Sequence, residues 1–401
     1  MKSILKVGKG AVAALFVFLF PLTGLFSAEP KFEKIIVSDK FHSEGAAVGD
    51  FNKDGIQDIV SGHFWYEGPN FQKKHQIYEG KDFDPKGYSN SFVVFTGDFN
   101  ADGWTDILIC PHPGVTGYWY ENPKNKEGFW KAHETTIELG NESQAWADVN
   151  GDGQPELIFN RNNYFGFIAY DTANPYAPWK FTAVSPSDPK YKRYYHGNGV
   201  GDINGDGLVD LVEKDGWYEQ PKEKGKTPWT FHPYKFAEAA SNILVYDVDG
   251  DGLNDIITAW HCHLYGFCWQ KQIKDAQGNI TFERKDLIPE KPADDFFPKI
   301  SQLHAMVLAD MNGDGVLDVV TGKRWWAHGP KGDIATNDPA ILMWWEIKRK
   351  ADGSVDFIPH IIDDNSGVGT QLTVQDINGD NLPDILVGNK KGTCVFLSKK
   401  P

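Results

Sequence analysis

A nine-residue pattern, D-x-[DN]-x-D-[GN]-x-x-[DE], occurs seven times along the 401 residues, at intervals of roughly 45 to 66. A spacing this regular identifies internal repeats, and repeats constrain the fold before any single residue does. The copies carry oxygen side chains at positions one, three, five and nine. The first holds Asp50, Asn52, Asp54 and Asp58, and the second Asp98, Asn100, Asp102 and Asp106. The third holds Asp148, Asn150 and Asp152 with Glu156 in ninth place, and the fourth Asp202, Asn204, Asp206 and Asp210. Asp247, Asp249, Asp251 and Asp255 follow, then Asp310, Asn312, Asp314 and Asp318, and last Asp376, Asn378, Asp380 and Asp384.

Each copy lies between two short apolar runs, such as Ile243–Tyr246 and Asp106–Ile109. An aromatic run comes next, for example Tyr118-Trp-Tyr-Glu121, and then a fourth run such as Val355–Ile362. Four short strand-like runs per unit, with 41 Gly and 23 Pro for turns, predict the blades of a β-propeller. The last unit stops after a third strand at Thr393–Leu397, while an orphan strand at Phe32–Val37 precedes the first. The N-terminal strand is therefore expected to complete the last blade. The prediction is an all-β fold, a seven-bladed propeller of four-stranded blades closed by the N-terminal strand, in one domain over residues 29–401.

The strand–DxNxDGxxD–strand units resemble the FG-GAP or VCBS-type repeats of integrin-like propellers. That resemblance implies Ca²⁺ in each loop. The residues read the same way: oxygens at alternate positions match the front half of an EF-hand loop, with Gly at position six for a turn at positive φ. Asn381 replaces that Gly in the last loop. Asx-type turns without metal are the alternative. The formal charge is −15, and 22 of the 55 acids lie in the seven loops, so bound cations would neutralise much of it. A net negative chain also argues against a nucleic-acid or anionic-membrane partner.

Lys2, Lys6 and Lys9, the apolar run Ala11–Leu25 and the small pair Ser27-Ala28 read as an export signal over residues 1–28. The localisation expected is periplasmic, cell-envelope or extracellular, with no membrane contact beyond the signal. Four cysteines are too few to staple a chain of this size.

The motif joins first to second strands on one face, so the other loops share the opposite face. His75, His133, His232 and His360 fall in fourth strands, where their repetition suggests packing. Six residues before each motif, where the innermost strand begins, stand Glu44, Phe92, Glu142, His196, Ser241, His304 and Thr370. Loops after second strands add His63, His112, His261 and His263. Histidines gathered with carboxylates at a funnel mouth suit acid–base or metal chemistry. Candidate catalytic residues are His196, His304, His63, His112, His263, Glu44 and Glu142. Candidate substrate-binding residues are His42, Arg161, Lys214, Tyr195, Trp260 and Arg324, and a further divalent metal is expected at the mouth. In His261-Cys262-His263 both rings share a side if the segment is extended, or one alone faces the funnel. The stretch Ala327–Asn337 interrupts its blade on the same face and is read as a rim or lid.

No G-x-S-x-G elbow, Walker loop or dinucleotide fingerprint is present. Two functions remain. The first is an exported sugar lyase or dehydratase that abstracts a proton beside a carbonyl; its GHFWYEGP-type strands resemble the aldos-2-ulose dehydratase family, which implies a keto-sugar substrate. The second is a non-catalytic glycan- or protein-binding module.

Overall fold

The computed structural model of the protein describes residues 30–143 and 145–400, where every regular element is a β-strand. The expected export signal lies outside the described residues. After β1 (Lys31–Ser38) come β2 (Ala47–Gly49), β3 (Asp58–Ser61), β4 (Phe64–Tyr66) and β5 (Lys74–Gln76). The second unit is β6 (Val93–Gly97), β7 (Asp106–Cys110), β8 (Thr116–Glu121) and β9 (Lys131–Glu138). The third is β10 (Ala145–Ala147), β11 (Glu156–Arg161), β12 (Tyr164–Ala169) and β13 (Lys180–Ala183). Next are β14 (Asn198–Gly201), β15 (Asp210–Glu213), β16 (Gly216–Glu219) and β17 (Thr230–Pro233), then β18 (Asn242–Tyr246), β19 (Asp255–Ala259), β20 (Phe267–Lys274) and β21 (Ile280–Ile288). The chain continues through β22 (Leu303–Ala309), β23 (Asp318–Lys323), β24 (Leu342–Arg349) and β25 (Val355–Asp363), and finishes with β26 (Leu372–Gln375), β27 (Asp384–Asn389) and β28 (Gly392–Lys399).

This is a β-propeller with four-stranded antiparallel blades. The blade count differs from the sequence expectation of seven separate sheets. Five sheets are discrete and four-stranded, whereas β14–β17 and β18–β21 form one eight-stranded sheet. The cause is local: β14 and β18 hydrogen-bond in parallel, with Asn198, Gly199 and Val200 opposite Asn242, Ile243 and Leu244. Gly199 permits this approach, since a Cβ there would stand 2.1 Å from the Ile243 carbonyl oxygen.

β1 pairs antiparallel with β28, so the sheet at the C-terminus takes its fourth strand from the N-terminus. The core lies between sheets. Val60 and Trp65 pack with Ile107 and Ile109 across the first two, and Ala46, Val48 and Ile59 pack with Leu386, Val395 and Leu397. Side chains also cross between inner strands: Thr96 Oγ1 donates to Val48 O and Thr373 Oγ1 to Ala46 O, each at 2.8 Å.

The fourth-strand histidines have the packing role that their repetition suggested. His75, His133, His232 and His360 stack on Trp65, Trp119, Trp217 and Trp344 with ring centroids 4.1–4.3 Å apart. Each imidazole also meets a third-strand carboxylate, as His75 meets Glu67 at 2.7 Å and His232 meets Glu219 at 2.7 Å. A flat ring between an indole and a carboxylate uses both its π-face and its N–H.

Candidate functional site

In each motif loop the first aspartate gathers backbone amides. Asp50 accepts from Asp54 N and Gly55 N, and Asn52 Oδ1 accepts from Asp54 N. Gly55 takes φ +85°, and Asn381, its counterpart in the last loop, takes φ +63°. Position four is left-handed as well, at Lys53 and Ala101 in the first two loops and at Gly in the later ones, a requirement the consensus did not reveal. The ninth carboxylates are buried. Asp58 accepts from Phe51 N and from Gly68 N, each at 2.9 Å, which ties the loop to the end of the third strand. Burial pushes Asp58 and Asp255 up to about 6, and Asp106, Asp210 and Asp318 up to about 7. Glu156 accepts from Val149 N and Asn150 N, and burial pushes it up to about 7.

Consecutive strands of a blade alternate in direction, so loops leaving second and fourth strands gather at the other end. There the structure brings together six of the expected residues, five from separate loops and His304 from the start of β22. Arg324, directly after β23, is fully buried and donates through Nε to Glu44 Oε2 at 2.9 Å; through Nη1 it contacts Glu142. The same Nη1 lies 2.9 Å from His304 Nε2. His304 Nδ1 lies 3.1 Å from the Cys262 carbonyl oxygen, and its Nε2 lies 3.2 Å from Glu142 Oε2 on the other side. His263 Nε2 and His196 Nε2 are 3.2 Å apart, and the His263 and His304 ring centroids are 4.7 Å apart. Gly369 helps to hold Glu44 in place: a Cβ there would stand 1.9 Å from the Glu44 carbonyl oxygen.

The electrostatics follow from this burial. Burial alone would raise the Glu142 carboxyl, but the Arg324 guanidinium beside it holds it well below the usual carboxylate range. Burial, then His304, lowers His196 to about 3. Burial and the neighbouring imidazoles also lower His263, and burial with Arg324 lowers His304. At neutral pH all three are uncharged and poor proton acceptors. One nitrogen each from His196, His263 and His304 and the Cys262 sulfur lie within 4.8 Å of one another. Burial pushes the Cys262 thiol well up, so it is neutral as it stands beside the imidazoles.

Sequence reasoning missed the pair beside this cluster. The connection between β23 and β24, which includes the expected rim Ala327–Asn337, brings His328 and Asp333 to it. His328 Nδ1 donates to Asp333 Oδ1 at 2.8 Å, and the His328 ring stands 4.4 Å from that of His263. Lys323 and Lys390, both buried, hold the connection by its carbonyls, Lys390 reaching Trp326 O at 2.8 Å and Lys323 reaching Ala335 O.

Other expected residues lie apart from this centre. His112 is half-buried near Phe92, and its pKa is lowered by burial and then by Arg193. Tyr195 turns its hydroxyl to buried Glu213, and Lys214 pairs with Asp215 at 2.8 Å. Arg161 lies over the Phe181 ring, and Arg284 covers the Trp260 ring at 3.7 Å. The His261 ring is 6.2 Å from that of His263, so a single ring of that pair enters the cluster. His42 and His63 form a separate group with Asp82.

The family model that describes the FG-GAP-like repeat matches residues 98–159. The repeat is FG-GAP-like. No curated protein matches the chain in sequence. Among solved structures, an Agrocybe aegerita lectin recognising non-reducing terminal N-acetylglucosamine is 15% identical, with TM-score 0.47 over 90% of this chain and 85% of that one. The rhamnogalacturonan lyase YesW is 13% identical, with TM-score 0.46 over 91% and 75%. The Photorhabdus luminescens Tc holotoxin pore is 16% identical, with TM-score 0.39; 77% of this chain aligns, and it spans 14% of that one.

Proposed function

We propose that this chain is an exported, calcium-stabilised propeller enzyme, a carbon–oxygen lyase acting on a keto-sugar or related carbohydrate at the histidine-rich mouth. Its blades form a closed ring of seven, the eight-stranded sheet counting as two joined at their inner strands. Ile203, Val212 and Trp217 packing on Ile243, Ile256 and Phe282 supports that count, because the two halves bury the same kind of seam as separate blades do. Ca²⁺ in the motif loops is supported by the three alternating oxygen positions and by the burial of a ninth carboxylate in every loop.

The observation that carries the functional reading is the meeting of three neutral imidazoles beside a buried Glu142–Arg324–Glu44 network. Two nitrogens bound tetrahedrally at about 2.0–2.1 Å stand about 3.3–3.4 Å apart. The His196–His263 contact of 3.2 Å fits that spacing. His196, His263 and His304 would hold a divalent transition metal, which supplies polarisation of the substrate carbonyl. Arg324 keeps Glu142 ionised and accepting, and its contact with His304 Nε2 competes with that ligation until the metal enters.

His328 is the base in this reading. Its Nδ1–H donates a hydrogen bond to Asp333, which leaves Nε2 free to receive a proton, and the side chain is 41% exposed at the opening. It takes the proton from carbon next to the carbonyl; that electron pair forms the new C=C bond as the β-oxygen leaves with its bonding pair and is protonated. A positioned group of this kind contributes about 10²–10⁴ in rate.

The test follows the ultraviolet absorbance of an unsaturated product from keto-sugars and uronate-containing oligosaccharides. His328→Ala should lose roughly 10²–10⁴ in rate at an unchanged melting temperature, and His304→Ala should lose turnover together with bound metal. The stacked, half-exposed Trp325 and Trp326, with centroids 4.0 Å apart, favour the second reading, a glycan-binding module. Absence of turnover on every substrate, with glycan binding unchanged in both variants, would establish that module instead.

A further inference from the structure

A second constellation lies over the first blade. His42 belongs to the connection from β1 to β2, His63 to the two-residue turn between β3 and β4, and Asp82 to the long connection from β5 to β6. One nitrogen from each imidazole and one carboxylate oxygen of Asp82 lie within 4.8 Å of one another. None of these residues belongs to the mouth cluster.

Three observations set this group apart from ordinary packing. His42 and His63 are 3% and 4% exposed, yet the His42 Nδ1 has no hydrogen-bond partner. A buried polar atom left unpaired costs about 1–3 kcal/mol, and it is the other nitrogen, Nε2, that faces Asp82. Second, the His42 and His63 rings meet edge to face with centroids 5.1 Å apart, so the two imidazoles are direct neighbours although they come from different connections. Third, the segment carrying Asp82 is built to approach. At Gly80 a Cβ would stand 2.2 Å from the His63 ring, and Phe83 N donates to Phe41 O at 2.9 Å.

We propose that His42, His63 and Asp82 form a binding site for a divalent transition-metal cation of the zinc class that clamps three loops over the first blade. Two imidazoles and a carboxylate suit zinc, cobalt or nickel and disfavour calcium and magnesium, which take oxygen ligands. The His42 Nε2 is 3.0 Å from Asp82 Oδ1, so the imidazole and the carboxylate already converge on one point. Asp82 is 57% exposed, which leaves the cation a path from solvent and a coordination position for water. Lys74, stacked on Phe64 at 4.2 Å, is the nearby cation that opposes binding, and Asp82 and Asp39 offset it.

The experiment is a zinc titration of the calcium-loaded full-length protein by calorimetry, repeated with cobalt and read by its visible absorption. Asp82→Asn, at an exposed position where the fold is not at stake, should weaken one class of zinc site about tenfold or more, and His63→Gln should abolish that class. The class lost in His304→Ala should stay intact in both. Failure of the mouth reading would remove only the latter class, so the two ideas fail separately. Zinc isotherms and cobalt spectra of Asp82→Asn and His63→Gln that match the parent would overturn the proposal.

Discussion

Replacing Ile36 by cysteine should staple the two ends of the chain. Ile36 lies directly opposite Cys394 in the β1–β28 register, and Cys394 is a free thiol. Facing residues of an antiparallel pair have Cα atoms about 4.5–5.5 Å apart, inside the roughly 4.4–6.8 Å that a disulfide spans. The bond would close a loop of roughly 360 residues, for which the chain-entropy relation gives about 5–6 kcal/mol at 25 °C. Ile36 is 63% exposed, so little packing is lost in exchange. The assay is intact mass, to detect loss of two hydrogens under mild oxidation, followed by thermal melts with and without reductant. The oxidised variant should melt several degrees above the parent, and reductant should return it to the parent value. Ile36→Ser should change stability by less than about 0.5 kcal/mol. A variant that keeps both thiols free under oxidation, or a crosslinked one that melts like the parent, would refute the pairing of the termini.

Chelation should lower the melting temperature, and calcium but not magnesium should restore it, because an ion that binds only the folded state adds RT ln(1 + [L]/Kd); a melt indifferent to chelator would count against the loops as calcium sites. Lys323 and Lys390 are lowered to about 8 by burial, so the unfolded chain holds more protons between about pH 8 and 10.5 and these groups favour folding increasingly as pH rises through that window. The stability of the parent relative to the Lys323→Met, Lys390→Met double variant should therefore grow from pH 8 to pH 10 in urea melts, by up to a few kcal/mol; a constant difference would contradict it.

The propeller was legible because its signal is local. A nine-residue loop repeated between alternating strands needs no knowledge of distant contacts, and the orphan strand at Phe32–Val37 points to its partner by symmetry. The merging of β14 and β18 was not legible, since it depends on backbone approach at Gly199. The mouth divides in the same way. His196, His304, Glu44 and Glu142 follow from their fixed offset to the motif, whereas the pairing of Arg324, a candidate substrate-binding residue, with Glu44 is invisible in sequence because the two lie 280 residues apart. Asp82, His328 and Asp333 carry no repeat signature at all. They sit in irregular connections whose path is set by such contacts as Phe83 N to Phe41 O and Lys390 Nζ to Trp326 O.

Anomalous diffraction at the zinc absorption edge, from crystals grown with zinc and a keto-sugar, tests the central claim most directly. The expected result is a peak among the imidazoles of His196, His263 and His304, which would hold the metal, with the sugar bound at the same mouth. A mouth that holds sugar with no peak among these imidazoles, or that stays closed by the Arg324–Glu142–His304 contacts while sugar binds elsewhere, would contradict it.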